Sequence, residues 1–175
     1  MKSRGRNRLL GAAAIAIAGG AIWALWPRQP LPEGTLADLV VVRKGSRTLE
    51  LYRGEQLLRT YSVALGPHPS GHKQQEGDGR TPEGRYVLDY RNPGSSFHKS
   101  LHVSYPSPAD TASARTRGVS PGGLIMIHGV RNGLGFVGRI HRLFDWTDGC
   151  IAVTDRDIDE IWRTVADGTP ILIEA

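Results

Sequence analysis

Along most of the chain, apolar positions come in short alternating or continuous runs, the pattern of strands; a helical period stands out in one place only. Residues 39–42 are a run of Leu and three Val, and 48–53 alternate apolar with polar. Gly54 then turns the chain into a third candidate at 56–65. Further strands are expected at 85–90, 100–105, 123–128 and 170–174, and a short helix at 109–117. The clear helix is 155–166, capped by Thr154 or Asp155. Ile158, Ile161, Trp162 and Val165 share one of its faces, and Gly168 stops it. Residues 66–84 have no apolar period and are dominated by Gly, Pro, Asp, His and Lys, so they read as one long loop. The pattern predicts a mainly β domain over 38–175 with one or two short helices, and no internal repeat.

The first 28 residues follow another rule. A short basic stretch, residues 1–8, precedes an uncharged run of 18 residues at 9–26. As a helix that run is roughly 27 Å long, close to the roughly 30 Å of a bilayer core. Trp23 and Trp26 fall where aromatic side chains collect at a membrane interface, and Pro27-Arg28 ends the span. The expectation is an uncleaved inner-membrane signal anchor. The alternative is a cleaved signal peptide, with Ala16-Ile17-Ala18 as the small-residue site. Either way the basic end stays in the cytoplasm and the remainder is exported to the periplasm. Residues 29–37 then read as a linker.

Charge does not change this picture once it is located. The chain carries 22 Lys+Arg against 17 Asp+Glu. Lys2, Arg4, Arg6, Arg8 and Arg28 account for the whole excess, so residues 29–175 are neutral. The basic balance belongs to the N-terminus, and nucleic-acid binding is not expected. The 175 residues suit one domain of ordinary size.

Chemistry enters through the single cysteine. Cys150 cannot belong to a disulfide framework or a CxxC zinc site. In an oxidising compartment a lone thiol is buried or used. The run Trp146-Thr147-Asp148-Gly149-Cys150-Ile151 sets it between polar turn residues and an apolar strand, facing a cleft. A thiol needs a partner base to act as a nucleophile. His128, at the end of an apolar run and followed by Gly129, is the first candidate, and His141 is its rival. The six histidines show no HExxH-type spacing, and neither a metal nor a cofactor is implied.

These residues resemble a known family. His128-Gly129 followed by Thr147-Asp148-Gly149-Cys150 is similar to the signature of the L,D-transpeptidase (YkuD-type) catalytic domain of bacterial cell-wall enzymes. Thr81-Pro82-Glu83-Gly84 looks like that family's Thr-Pro-x-Gly element. Residues 99–106 and 145–153 resemble a short, membrane-anchored proteobacterial branch. The resemblance covers about 38–174 and implies a β-sandwich-like catalytic fold. It implies Cys150 as nucleophile, His128 as base, Gly129 as the carbonyl orienting the imidazole, and Gly149 with Cys150 at the oxyanion. Thr147, Asp148, Arg139 and His141 are the candidate substrate contacts. The implied substrates are peptidoglycan stem peptides, with a lipoprotein as a possible partner. The implied reaction is cross-linking or protein attachment through a thioester. The alternatives are a hydrolase of the same fold (an L,D-carboxypeptidase or amidase) and a non-catalytic wall-binding module. Two positions depart from the pattern: Asp148, where many members carry a basic residue, and Ala152, where many carry Arg.

Overall fold

A computed structural model describes residues 29–175, so the hydrophobic helix expected at 9–26 lies outside the described residues. The folded unit runs from Leu31 to Ala175. Its strands are β1 (Leu39–Arg43), β2 (Thr48–Arg53), β3 (Gln56–Ser62), β4 (Gly84–Asn92), β5 (Ser100–Val103), β6 (Met126–His128), β7 (Ile151–Ala152) and β8 (Thr169–Glu174). They form one sheet in the order β3-β2-β1-β8-β4-β5-β6-β7. The pairs β1·β8 and β6·β7 are parallel and the others antiparallel. The two ends of this sheet meet. Just past β3, Ala64 and Ala152 exchange both backbone hydrogen bonds at 2.9 Å, curling the sheet around its core.

The strand periodicity explains what fills that core. Val40 and Val42 of β1 and Leu49 and Leu51 of β2 are fully buried, and alternate residues of β8, Ile171 and Ile173, join them. Helix α2 (Asp155–Thr164) adds Ile158 and Ile161 from its apolar face, with Trp162 packed at the margin. Thr154 caps α2 by accepting the N–H of Asp157 at 3.2 Å. The helix ends at Thr164, short of the expected 166, because Val165 turns extended and bridges Ala37. Part of the expected linker therefore belongs to the domain. Ala37 is buried, and the Leu31 N–H donates to Glu160 Oε1 at 2.6 Å. Helix α1 (Pro108–Thr116) starts at a capping box between Ser107 and Asp110. A 3-10 segment, η1 (Gly135–Leu143), is broken at Gly138. β6 is half the expected length: the Pro121-Gly122-Gly123 turn and Leu124, at φ +54°, delay it to Met126.

Residues 66–83 form a loop, as the pattern predicts, but an ordered one built on two buried lysines. Lys44 Nζ, 1% exposed as a residue, donates to Gly71 O (2.6 Å), Thr81 O (3.1 Å) and Glu83 Oε1 (2.8 Å). Lys73 Nζ donates to Gln75 O and Asp78 Oδ1. Burial works against the Asp78 carboxylate. Hydrogen bonds from the N–H groups of Gln74, Arg80 and Gln75, together with Lys73, nevertheless bring it down to about 2. Replacing Lys44 with Met should strip the loop of its central donor and lower stability by about 2–3 kcal/mol, the range for hydrogen bonds to a charged group. Denaturant titration measures the loss, and amide exchange should accelerate first within 71–83.

Candidate active site

The parallel pairing of β6 with β7 brings the candidate residues together. Ile127 lies opposite Ile151 and His128 opposite Ala152. Side chains alternate along a strand, so Ile127 and Ile151 go into the core while His128 and Ala152 take the other face. Cys150, two residues before Ala152, shares that second face. Cys150 and His128 both line one groove of about 870 Å³. Twenty-two positions of sequence separate them, and one strand register removes the gap.

The thiol sits between two backbone groups. Sγ donates to Leu124 O at 3.6 Å, and the N–H of Met126 supports it from the neighbouring strand. Burial pushes the thiol pKa up, Met126 pulls it back, and Asp148 adds to the rise. The imidazole is held through Nδ1, which lies 2.7 Å from Gly129 O. A carbonyl only accepts, so the proton is on Nδ1 and Nε2 keeps the lone pair. Burial lowers the His128 pKa, with Gly129 opposing. Both shifts favour the uncharged forms. Phe97 lies tilted against the His128 ring at 4.7 Å between centroids, and Trp146 meets it edge-on at 5.8 Å.

The turn carrying Cys150 is fixed from within. Thr147 Oγ1 donates to Cys150 O at 2.7 Å and accepts the Gly149 N–H at 3.3 Å. The Thr147 hydroxyl is thus engaged in its own turn. The Gly149 N–H is likewise taken, so Gly149 serves sterically: at φ +109°, a Cβ there would sit 2.4 Å from Arg80 O. Gly129 is confined in the same way, since a Cβ would fall 2.6 Å from Asp155 Oδ1, the atom that accepts the Val130 N–H. Asp155 thus ties the start of α2 to the strand end that bears His128.

Among the other candidates, Asp148 is exposed on the groove wall. Buried His141 also lines the groove, and its Nδ1 accepts the Trp146 Nε1–H at 3.4 Å. Burial, then the Arg142 charge, lower its pKa to about 4, which makes it a poorly placed base beside His128. Arg139 is exposed and outside the groove lining. The 130–146 segment forms a wall of the groove through Val130, Leu134, Val137 and Phe144. The 66–84 loop contributes none of the lining residues; it braces the Cys150 turn from behind through Arg80 and Gly66. The facing wall comes instead from Asn92 and residues 94–97, ending in Phe97, which sequence reading passed over. Its signal was a lone aromatic closing the Pro93-Gly94-Ser95-Ser96 turn. At 152, where an Arg was absent from the expected pattern, Ala152 is fully buried against Ala64.

Known proteins share this fold. The family model described as "YkuD: L,D-transpeptidase catalytic domain" matches residues 37–173. The Escherichia coli K12 protein named "Putative L,D-transpeptidase YafK" is 32% identical over 132 residues, 72% of this chain and 46% of its own length. The chain therefore spans about half the length of the curated relatives it matches. Among solved structures, the helical cell shape determining protein Pgp2 from Campylobacter jejuni aligns with a TM-score of 0.58 at 24% identity, over 83% of this chain and 50% of that one. An L,D-transpeptidase from Mycobacterium smegmatis aligns with a TM-score of 0.51 at 15% identity, over 79% of this chain and 59% of that one. The fold is theirs, and the family match covers nearly every described residue: the chain belongs to the YkuD L,D-transpeptidase family.

Proposed function

We propose that the domain is a cysteine-dependent acyltransferase acting on peptidoglycan stem peptides. The observation that carries this reading is the common face of β6 and β7, which presents Cys150 and a Nδ1-anchored His128 to one groove. His128 Nε2 takes the thiol proton as Sγ attacks the carbonyl carbon at the L-centre of a stem-peptide diaminopimelate. The carbon–nitrogen bond to the terminal D-residue then breaks, and the departing amine leaves with the proton held by His128. A thioester remains. An acceptor amine attacks it, forms the new amide and returns the thiol. The Cys150 N–H is the oxyanion donor in this scheme. Gly129 O does the work of a triad carboxylate, fixing tautomer and orientation.

The same reading extends to the cell. Residues 9–26 hold the chain in the inner membrane with the domain in the periplasm, where its substrate lies. The family resemblance supports peptidoglycan stem peptides as substrate, and a role in cell shape accords with the shared fold of the Campylobacter cell shape determining protein. A lipoprotein amine is the other acceptor class.

Cys150→Ala should abolish acyl-enzyme formation with purified muropeptides, and His128→Ala should slow it at least about 100-fold, the usual contribution of a positioned base. Intact-protein mass spectrometry detects the adduct, and normal turnover by the Cys150→Ala protein would sink the mechanism. Muropeptide analysis then separates new cross-linked dimers, the transferase result, from trimmed stems, the hydrolase result.

The pH profile follows from the two shifts. Because burial lowers the His128 pKa, its basic form survives below the ordinary imidazole value of 6.5. The acid limb of kcat/KM for acylation should therefore fall on the acid side of 6.5, with activity maintained through neutrality. A limb above 6.5, matched by rapid thiol alkylation in acid, would instead reveal a preformed thiolate–imidazolium pair.

A further inference from the structure

η1 is apolar on two sides. Val137 and His141 line the groove, while Phe136, Ile140 and Leu143 do not and are 85%, 64% and 71% exposed. Three large apolar side chains stand exposed within nine residues, Phe136 before the break at Gly138 and Ile140 and Leu143 after it, and the groove does not explain them. We propose that this outer face of η1 docks on the surface of an anionic lipid bilayer. The proposal rests on the membrane anchoring proposed above for residues 9–26.

Charge and position both favour this partner. From Val130 to Phe144 the chain has no Asp or Glu and three cations, Arg131, Arg139 and Arg142. The next acid, Asp145, is paired with Arg47 at 2.7 Å. Exposed Phe, Ile and Leu beside arginines are the composition of segments that lie in a lipid interface, where the apolar groups enter the acyl boundary and the cations meet anionic headgroups. The location agrees. Arg142 Nη1 donates to Ser62 O at the end of β3. The neighbouring Tyr61 donates its hydroxyl to Glu160 Oε2, while Oε1 of the same carboxylate accepts the Leu31 N–H. Leu31 is thus held beside the second half of β3, where Arg59 and Tyr61 share the Glu160 carboxylate with it. Only residues 27–30 separate Leu31 from the apolar run, a reach of at most roughly 18 Å for the five extended steps. An anchored domain meets the lipid at high effective concentration, so a patch too weak to bind membranes alone suffices to orient it. A second copy of the chain could also cover such a face, but nothing acidic in η1 complements its own arginines.

The test uses the full chain in vesicles of phosphatidylcholine and phosphatidylglycerol. An environment-sensitive fluorophore is attached through Ile140→Cys in a Cys150→Ser background. The control carries it through Glu55→Cys, in the hairpin at the far end of β3. The expected result is a several-fold rise in emission at 140, quenched by lipids brominated on the acyl chains, with neither change at 55. Adding Phe136→Ser and Leu143→Ser should return the signal at 140 toward water. The same pair in the Cys150 protein should leave acylation of soluble muropeptides unchanged. If the chain floats with the vesicles but position 140 stays water-like, docking is wrong and anchoring stands. If the chain does not float, anchoring fails and docking fails with it. If emission at 140 rises without vesicles as the particle doubles in mass, the face joins two copies and the proposal is overturned.

Discussion

Two backbone hydrogen bonds between Ala64 and Ala152 join the extension of β3 to the two-residue strand β7. On that seam hangs the geometry of the site. β7 is too short to hold itself in place, and it is flanked by β6 on one side and by this pair on the other. Leu65 O then accepts the Thr147 N–H, so the closing strand also positions the turn before Cys150. The nucleophile candidate therefore stands where the sheet closes, and its backbone is fixed by pairings from both ends of the sheet.

Electrostatics around the pair is governed by burial and by backbone dipoles. Lys73 is the nearby cation that favours the thiolate, but its Nζ is already engaged by Asp78, and Asp148 acts in the opposite sense. Burial thus favours the protonated thiol, the form less open to oxidation. The part played by backbone dipoles explains the emphasis on glycine: Gly129 and Gly149 let backbone and carboxylate groups approach closely enough to do work done elsewhere by side chains.

Much of this was legible from residues alone. Strands with β-branched runs, such as β1, and the strongly amphipathic α2 with its Thr154 cap appear where the pattern puts them, because local preference and burial agree there. The pairing of His128 and Cys150 was reached through the resemblance. Spacing could not supply it, since it depends on a parallel register formed by residues far apart in sequence. The bonds that Thr147 and Gly149 make within their own turn were not legible, because a hydroxyl or an amide near a candidate nucleophile reads as a substrate contact until its partners are known. The wall at 92–97 was missed for a related reason: loops carry no period, and only the fold shows which cleft they border.

The carboxylate of Glu160 has a mechanical consequence. It receives the Leu31 N–H, the Tyr61 hydroxyl and the Arg59 guanidinium, and it belongs to a helix whose opposite face is set in the core. Tension applied upstream of Leu31 passes first into this junction. From there it is shared between α2 and β3, the two elements whose ends meet at the groove, α2 through Asp155 and β3 through Ala64.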